Sequence, residues 1–262
     1  MSNDQIRFED GASYERYMGI WSQLVAAKFL TWLAPQQGLS WLDVGCGNGA
    51  FTEMIFKQHQ PSTVTGIDPA PAQIAYAHQR LDGYGATLYE ADAQNVPLDD
   101  NSVNIAVMPL VIFFVPEPAK GVAEMARVVA PGGTVAAYTW DMFGGGFPYS
   151  PIQKAITEAG VTVPYPPSIE ASRMEVMHEL WLQAGLSNIQ TEVISVTRSF
   201  VDFADYWETV LGAPSIGPQL NAMSASKQQA FQAQIRATLP LEANGQITLQ
   251  AHANAIKGVV AR

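Results

Sequence analysis

From residue 41 onward, short apolar runs alternate with segments whose apolar residues have helical spacing. The apolar runs predict strands near residues 41–45, 63–67, 86–90, 103–108 and 134–140. Helices are predicted between them, near residues 50–59, 71–82 and 117–129. Because this alternation is typical of βαβ units, it indicates an α/β fold built on a parallel sheet.

The regions on either side of this core have other patterns. Residues 14–33 carry apolar side chains at helical spacing and predict an N-terminal helix. Pro131-Gly132-Gly133 predicts a turn that leads from a helix into the strand at 134–140. Later segments predict a helix at 173–184, a long strand at 188–200, two helices at 203–211 and 218–239, and a last strand at 246–260. Those two helices would form a cap over the sheet edge.

The end of the first predicted strand carries the strongest chemical signal. Residues 41–50 read WLDVGCGNGA, an apolar run that stops in a glycine-rich turn before a helix. The run from Gly45 to Ala50 fits a variant of the dinucleotide fingerprint, so a nicotinamide or flavin cofactor is one candidate. Asp43 favours a different ligand, because a carboxylate there would repel a pyrophosphate and attract an ammonium group. S-adenosylmethionine combines adenosine with an amino acid, so it offers an ammonium group to Asp43 and has no pyrophosphate.

Two further acidic residues follow predicted strands. Asp68 ends the second strand, 23 residues after Gly45, where an acidic side chain can accept from both ribose hydroxyls of an adenosine. The alternative is that Asp68 caps the helix that begins at Pro71. Asp92 follows the third strand and is a candidate acceptor for an adenine amine, or else an ordinary turn residue.

Composition and charge narrow the function classes. The 262 residues are 48% hydrophobic and carry a net charge of −10, which indicates a globular chain and disfavours nucleic acid as a partner. Cys46 is the only cysteine, so neither an intrachain disulfide nor a cysteine metal site is expected, and no metal is predicted. The polar start and the absence of a long apolar run predict neither a signal peptide nor a membrane span, and hence a cytoplasmic protein.

Four motifs in order resemble the class I S-adenosylmethionine-dependent methyltransferases. The likeness is to the small-molecule branch (methyltransferase type 11), which includes ubiquinone- and menaquinone-biosynthesis-type enzymes. The motifs are LDVGCGNG at 42–49, GIDP at 66–69, EADAQ at 90–94, and SVNIAV at 102–107 with EMARVVAPGG at 124–133. They cover about residues 40–140. Asn104 departs from the pattern, which has Asp at this structural position.

The resemblance implies the architecture of the whole chain. It predicts a Rossmann-like, doubly wound, seven-stranded sheet, mostly parallel with one antiparallel strand, and a helical cap inserted before the last strand. Residues 1–262 would then be one methyltransferase domain. Its parts would be an N-terminal helical lid (1–39), a cofactor-binding core (40–140), a substrate loop (141–172) and the cap (202–240).

The resemblance also implies a set of cofactor contacts. Asp43 would support the ammonium, the glycine loop would pack on the methionine moiety, Asp68 would hold the ribose, and Asp92 would hold the adenine. Aromatic residues of the opening segment would close over the cofactor as a lid, or else belong to the core. The residues so assigned are Asp43, Gly45, Cys46, Gly47, Gly49, Asp68, Pro69, Asp92, Ala93, Gln94, Met108, Pro109, Tyr14, Tyr17 and Trp21.

The sequence defines the methyl acceptor less closely than the cofactor. An apolar pocket is expected from Trp140, Phe143, Phe147, Tyr206 and Trp207, so the acceptor would be a small hydrophobic or aromatic molecule, methylated at oxygen, carbon or nitrogen. In-line methyl transfer depends mainly on positioning and exclusion of water.

A general base is needed only where the acceptor must lose a proton. The four histidines are interpreted as ordinary surface or core residues. Asp141, Tyr138 and Tyr149 are the candidates for catalysis, although Asp141 equally suits a turn.

Two other functions compete with methyl transfer. One is a Rossmann oxidoreductase dependent on NAD(P); the other is an interaction protein that binds S-adenosylmethionine without catalysis. Either a monomer or a homodimer is compatible with the sequence.

Overall fold

The computed structural model describes residues 15–160, 164–213 and 217–261. The strands are β1 (Ser40–Val44), β2 (Thr63–Asp68), β3 (Thr87–Glu90), β4 (Val103–Pro109), β5 (Val129–Trp140), β6 (Leu186–Phe200) and β7 (Ile247–Val260). The helices are α1 (Ile20–Leu33), α2 (Ala50–His59), α3 (Pro71–Arg80), α4 (Pro118–Val128), α5 (Ser150–Glu158), α6 (Met174–Gln183), α7 (Phe203–Leu211), α8 (Gly217–Asn221) and α9 (Ala225–Thr238).

The seven strands form one sheet in the order β3-β2-β1-β4-β5-β7-β6. Strands β1 to β5 pair in parallel, whereas β7 is antiparallel to both of its neighbours. The predicted doubly wound sheet with one antiparallel strand is therefore confirmed. The order reverses beside β1, and ligands of such sheets bind at this reversal, beyond the carboxyl ends of the strands.

Both faces of the sheet are buried, which explains the near-continuous apolar runs. In β5, Tyr138 and Trp140 pack towards α1 and α2, while Val135 and Ala137 pack towards α4 and α6. Helices thus cover the sheet on each side, as parallel strands require. The layers leave the carboxyl edge of the sheet as the place where side chains can meet a ligand.

The turn predicted at residues 131–133 is instead part of a strand. β5 begins at Val129, directly after α4, and its register with β4 shifts at this point. Gly132 has a φ of +83°, and a Cβ on Gly133 would lie 2.4 Å from the carbonyl oxygen of Asn104. The glycines therefore allow a bulge where two strands approach closely, rather than a free turn. Asn104 itself accepts from the Ser40 backbone amide and hydroxyl, which supports a structural role.

The segments that cover the carboxyl edge contain more helix than expected. The first described residues, Glu15–Gly19, form a π-helical turn ahead of α1. The predicted substrate loop at 141–172 includes α5 and a 3₁₀ turn at Ile169–Ser172. The second cap helix is interrupted because the Ser224 hydroxyl accepts from the amide of Lys227 and starts α9 anew.

The direction of β7 decides where the cap lies. β6 runs parallel to β5 and ends at Phe200, at the carboxyl edge, and antiparallel β7 starts at the same edge with Ile247. The helices between them therefore stand over the carboxyl ends of the strands. In the described residues, no helix is long and apolar enough to cross a membrane.

Candidate functional site

A cavity of about 500 Å³ opens at the carboxyl ends of β1, β2 and β4. One wall comes from α1, through Gly19, Ser22, Gln23 and Ala26. The rest of the lining comes from the strand ends, the loops after them and α2. Those residues are Asp43, Gly45, Cys46, Gly47, Asn48, Ala50, Phe51, Met54, Asp68, Pro69, Ala70, Ala72, Gln73, Pro109, Leu110, Val111, Phe114 and Tyr138.

Asp43 places an incompletely paired carboxylate at the floor of this cavity. Its Oδ2 accepts from the Thr52 hydroxyl at 2.6 Å, while its buried Oδ1 has no hydrogen-bond partner within the described structure. Burial raises the pKa of Asp43 to about 7, and the nearby carboxylate of Asp68 adds to the rise. A buried acceptor of this kind is satisfied best by a cationic donor.

Asp68 connects the two loops that face the cavity. Its Oδ2 accepts from the Gly47 amide at 3.0 Å, and its Oδ1 accepts from the Ala70 amide at 2.9 Å. Helix α3 is capped by Ala70 without a side-chain bond, so Asp68 is not its N-cap. Burial raises the pKa of Asp68 above its ordinary value. The carboxylate thus holds the glycine loop beside β2.

Glycines let the backbone take the shape of this loop. Gly45 has a φ of +71°, and a Cβ there would lie 2.4 Å from a Val111 methyl carbon. Gly47 has a φ of +53° and a nearly open approach. Gly49 has a φ of +79° but faces Leu81 and Ala77 behind the loop rather than the cavity. Two glycines therefore shape the ligand surface, and the third allows α2 to pack on α3.

These groups fit S-adenosylmethionine better than a dinucleotide. The unpaired Oδ1 of Asp43 suits an ammonium, and Asp68 stands one strand away, where a ribose would reach it. Among the residues that the structure describes, two carboxylates and no Lys or Arg line the cavity, so a pyrophosphate would meet only like charge. The chemistry of the donor set therefore agrees with a cationic adenosine-containing ligand.

The face that α1 presents to the cavity is not the aromatic stripe expected from the sequence. Tyr17 and Trp21 pack into the core and do not line the cavity, whereas small and polar residues at positions 19, 22, 23 and 26 do. These positions have the i, i+3, i+4, i+7 spacing of a single helical face. That spacing is the signal that could have identified them. Tyr14 lies outside the described residues.

Other predicted cofactor residues lie away from the cavity. Met108 is fully buried against the α4 side, because side chains of β4 alternate between the faces, and its expected contact with the cofactor stays a prediction. Asp92 accepts from the Gln94 backbone and side chain, and neither these residues nor Ala93 line the cavity. The adenine contact through Asp92, Ala93 and Gln94 stays a prediction.

Four of the five predicted acceptor residues pack in or against the hydrophobic core rather than around an open pocket. Trp140, Tyr206 and Trp207 are buried, and Phe147 packs beside Tyr149. Phe143 lies apart from them, with the guanidinium of Arg173 3.5 Å from its ring centroid. In the described structure none of the five predicted residues lines the cavity, so substrate contact through them stays a prediction.

The three candidate catalytic residues occupy different places. Tyr138 lines the cavity. Asp141 shapes a turn, since its Oδ1 accepts from the amides of Phe143 and Gly144, and its Oδ2 lies 3.3 Å from Nε2 of His252. Tyr149 is buried, and burial raises its pKa to about 12. No histidine lines the cavity.

Comparison with known proteins agrees with this geometry. The family described as "Methyltransferase domain" matches residues 42–137, the part of the chain that contains both carboxylates and the glycine loop. Over these residues the chain is similar to methyltransferase domains. Its Rossmann-like sheet is the fold of solved methyltransferase structures.

Named relatives of the methyltransferase domain include a curated enzyme and two solved structures. Malonyl-[acyl-carrier protein] O-methyltransferase of Pectobacterium atrosepticum is 28% identical over 127 residues, 48% of each chain. YcgJ of Bacillus subtilis has a TM-score of 0.61 at 18% identity, over 91% of this chain and 98% of its own. Phosphoethanolamine N-methyltransferase 2 of Haemonchus contortus, solved with S-adenosylhomocysteine, has a TM-score of 0.59 at 17% identity, over 96% and 57%. The chain spans less than half the length of the curated relatives it matches first.

Proposed function

We propose that this protein transfers the methyl group of S-adenosylmethionine to a small apolar or aromatic acceptor by in-line displacement. The observation that carries the proposal is the unpaired, buried Oδ1 of Asp43 beside Gly45 and Gly47, in a cavity whose remaining wall is mostly apolar. The methyltransferase match over residues 42–137 supports the same activity.

The residues present would bind the donor in a defined order along the strand ends. Asp43 would accept from the ammonium, and Asp68 would accept from the ribose hydroxyls beside Pro69. Gly45 and Gly47 would let the backbone lie against the methionine moiety. S-adenosylmethionine supplies an electrophilic methyl group on a sulfonium sulfur.

The apolar part of the cavity would receive the acceptor. Phe51, Met54, Leu110 and Phe114 line it, and all four exclude water rather than form ion pairs. In such a site, orientation and desolvation of the acceptor account for much of the rate. Within the described part of the chain, no lining residue carries a positive charge, so a neutral acceptor fits better than an anionic one.

Tyr138 is the polar side chain best placed to orient the acceptor. It lies in the row of β5 side chains that faces α1 and α2, packs against Phe29 and Phe51, and lines the cavity. A phenol here would hydrogen-bond to an acceptor hydroxyl or amine and position its lone pair. A proton lost by the acceptor would pass to solvent or to a carboxylate, since no histidine lines the cavity.

Calorimetric titration tests the donor. S-adenosylhomocysteine is expected to bind with a measurable heat, and NADH is expected to give none. Binding of NADH without binding of S-adenosylhomocysteine would replace the proposal by the oxidoreductase.

Incubation with radiolabelled S-adenosylmethionine and a panel of phenols, quinols and amines tests the acceptor. We expect label to appear in at least one neutral aromatic compound. Donor binding with no transfer across the panel, at any pH from 6 to 9, would favour the non-catalytic interaction protein.

A further inference from the structure

The wall that α1 contributes to the cavity depends on how the start of this helix is held. Gly19, Ser22, Gln23 and Ala26 face the cavity along one side of the helix. A shift of α1 by a fraction of an ångström would move all four together, because they share one rigid element. The contacts on the opposite side of α1 therefore bear on the shape of the donor cavity.

The buried hydroxyl of Tyr149 lies at the centre of those contacts. It donates to the backbone carbonyl of Tyr17 at 2.8 Å and accepts from Nε1 of Trp21 at 3.2 Å. Its ring stacks on the ring of Tyr17, with centroids 4.3 Å apart and planes 18° from parallel. One side chain from the loop after β5 thus contacts two successive turns at the start of the helix.

Arg198 of β6 completes this junction. Its Nη1 donates to the same Tyr17 carbonyl at 3.2 Å and to the Tyr149 hydroxyl at 3.4 Å. The guanidinium is 8% exposed and lies 4.4 Å from the ring centroid of Phe200. Because buried polar groups are costly without partners, this arrangement is strongly specified.

Tyr17, Met18 and Trp21 also anchor the start of α1 by packing in the hydrophobic core, while its other described polar contacts are weaker. Residues 15–19 form a π-helical turn, and Gly19 gives α1 no side-chain cap. Arg16 pairs with Asp205 and Glu208 on α7, but these groups are largely solvent-accessible, so the pairs contribute little. The buried junction is the firmer polar attachment.

We propose that Tyr149 is a positioning residue: its hydroxyl fixes the start of α1, and thereby the cavity wall formed by Gly19, Ser22, Gln23 and Ala26. The inference rests on the proposed function only in assigning S-adenosylmethionine to that cavity. The hydroxyl does not touch the reacting groups and acts through the helix. Since burial raises the pKa of Tyr149 to about 12, the hydroxyl keeps its proton and donates throughout the working range of pH.

Tyr149→Phe tests the proposal, because it removes the hydroxyl and keeps the stacked ring. Tyr165→Phe, at an exposed tyrosine outside the junction, is the matched control. Calorimetry with S-adenosylhomocysteine is expected to give a dissociation constant about five- to tenfold weaker for Tyr149→Phe, the loss of roughly one buried hydrogen bond. The control should match the unaltered protein.

Hydrogen exchange provides the second readout, which does not depend on the ligand. In Tyr149→Phe, amides of residues 15–26 should exchange faster, while those of β1, β2 and β4 should not change. Arg198→Met, which leaves the hydroxyl in place, should give a smaller effect in the same segment. It keeps the test decisive if Tyr149→Phe does not fold.

The outcomes separate this inference from the proposed function. An unaltered protein that does not bind S-adenosylhomocysteine overturns the proposed function, whatever the exchange data show. If the unaltered protein binds and Tyr149→Phe binds equally well with unchanged exchange, the positioning role is wrong. A lower melting temperature with an unchanged dissociation constant also overturns it, since that result describes a purely structural residue.

Discussion

Two sides of the cavity are held together in different ways. The ends of β1 and β2 form the donor side, and the segments over them, including the start of α1 and the loop with Tyr149, form the covering side. At the ends of β1 and β2, backbone amides and two carboxylates make the contacts, and the partners of these carboxylates lie within 21 residues in sequence. Asp68 bonds to Ala70, two residues away, and to Gly47 in the preceding loop. The covering segments are held by rings and side-chain hydroxyls, such as Tyr149 with Trp21, 128 residues apart.

This difference agrees with the extent of the family match, which covers residues 42–137 and so includes the donor side. A glycine that must have a positive φ, and a carboxylate that must face a ligand, tolerate few replacements. An aromatic cluster can be rebuilt from other large side chains of similar volume. The donor side is therefore constrained residue by residue, whereas the covering side is constrained mainly by its packing.

The strongest test of this contrast is Gly45→Ala. Its φ of +71° costs an alanine about 1–2 kcal/mol, and the new Cβ would lie 2.4 Å from Val111. We expect binding of S-adenosylhomocysteine to fall below detection by calorimetry. Gly83→Ala is the control, because Gly83 has a φ of +81° with nothing near its Cβ position. Equal loss in both variants would mean that backbone strain alone, and not the close approach, explains the effect.

Asp68→Ala should have the next largest effect. Loss of hydrogen bonds to an ionised group is expected to weaken donor binding by about 1.5–3 kcal/mol. Part of the loss will come from the released Gly47 amide, which Asp68 holds at 3.0 Å. Isothermal titration with S-adenosylhomocysteine measures the loss of affinity. Asp82→Ala, at a residue outside the cavity, is the control. Unchanged affinity would place the ribose elsewhere.

A smaller effect is expected from pH, through Asp43. Its folded-state pKa of about 7 lies above the ordinary value, so the folded protein binds more protons than the unfolded chain between about pH 4 and 7. Stability contributed by this group is therefore lost as pH rises through that window. Donor binding has the opposite dependence, because a cationic ligand favours the carboxylate.

The dissociation constant for S-adenosylhomocysteine should therefore tighten up to about tenfold between pH 6 and pH 8. Asp43→Asn should bind more weakly at pH 8 and show a flat profile over the same range. If the pH dependence persists in Asp43→Asn, another group titrates, and the neighbouring carboxylate of Asp68 is the first to test.

Arg16→Gln should give the smallest change and belongs to the covering side. The guanidinium lies 3.0 Å from Asp205 and 3.1 Å from Glu208, but all three groups are solvent-accessible. Such pairs contribute about 0–1 kcal/mol, so the melting temperature should fall by only a few degrees, and less at high salt. Donor binding should not change. A large loss of donor affinity would show that the exposed pairs, rather than the Tyr149 junction, hold α1.

The sequence was sufficient for the sheet and for the polar part of the donor side. Apolar runs located all seven strands, and Asp43, Asp68, Gly45 and Gly47 do face the cavity. Met108 was expected beside the cofactor, but strand alternation places its side chain in the core on the α4 side.

The covering side was less predictable because its contacts join distant residues. Tyr17 and Trp21 were predicted to close over the cofactor, whereas small and polar residues on another face of the same segment form the cavity wall. Tyr149 could not be recognised as the attachment of α1 before the chain was folded, since Trp21 and Arg198 lie far from it in sequence.

The antiparallel direction of β7 determines where the chain can gain or lose residues during evolution. The chain leaves β6 and re-enters β7 at one edge of the sheet, so residues added or removed between them do not disturb the strand order. Lengthening a connection of this kind costs little conformational entropy. Under the proposed function, new acceptor preferences can therefore arise by remodelling this one insertion, while the ends of β1 and β2 keep the donor site unchanged.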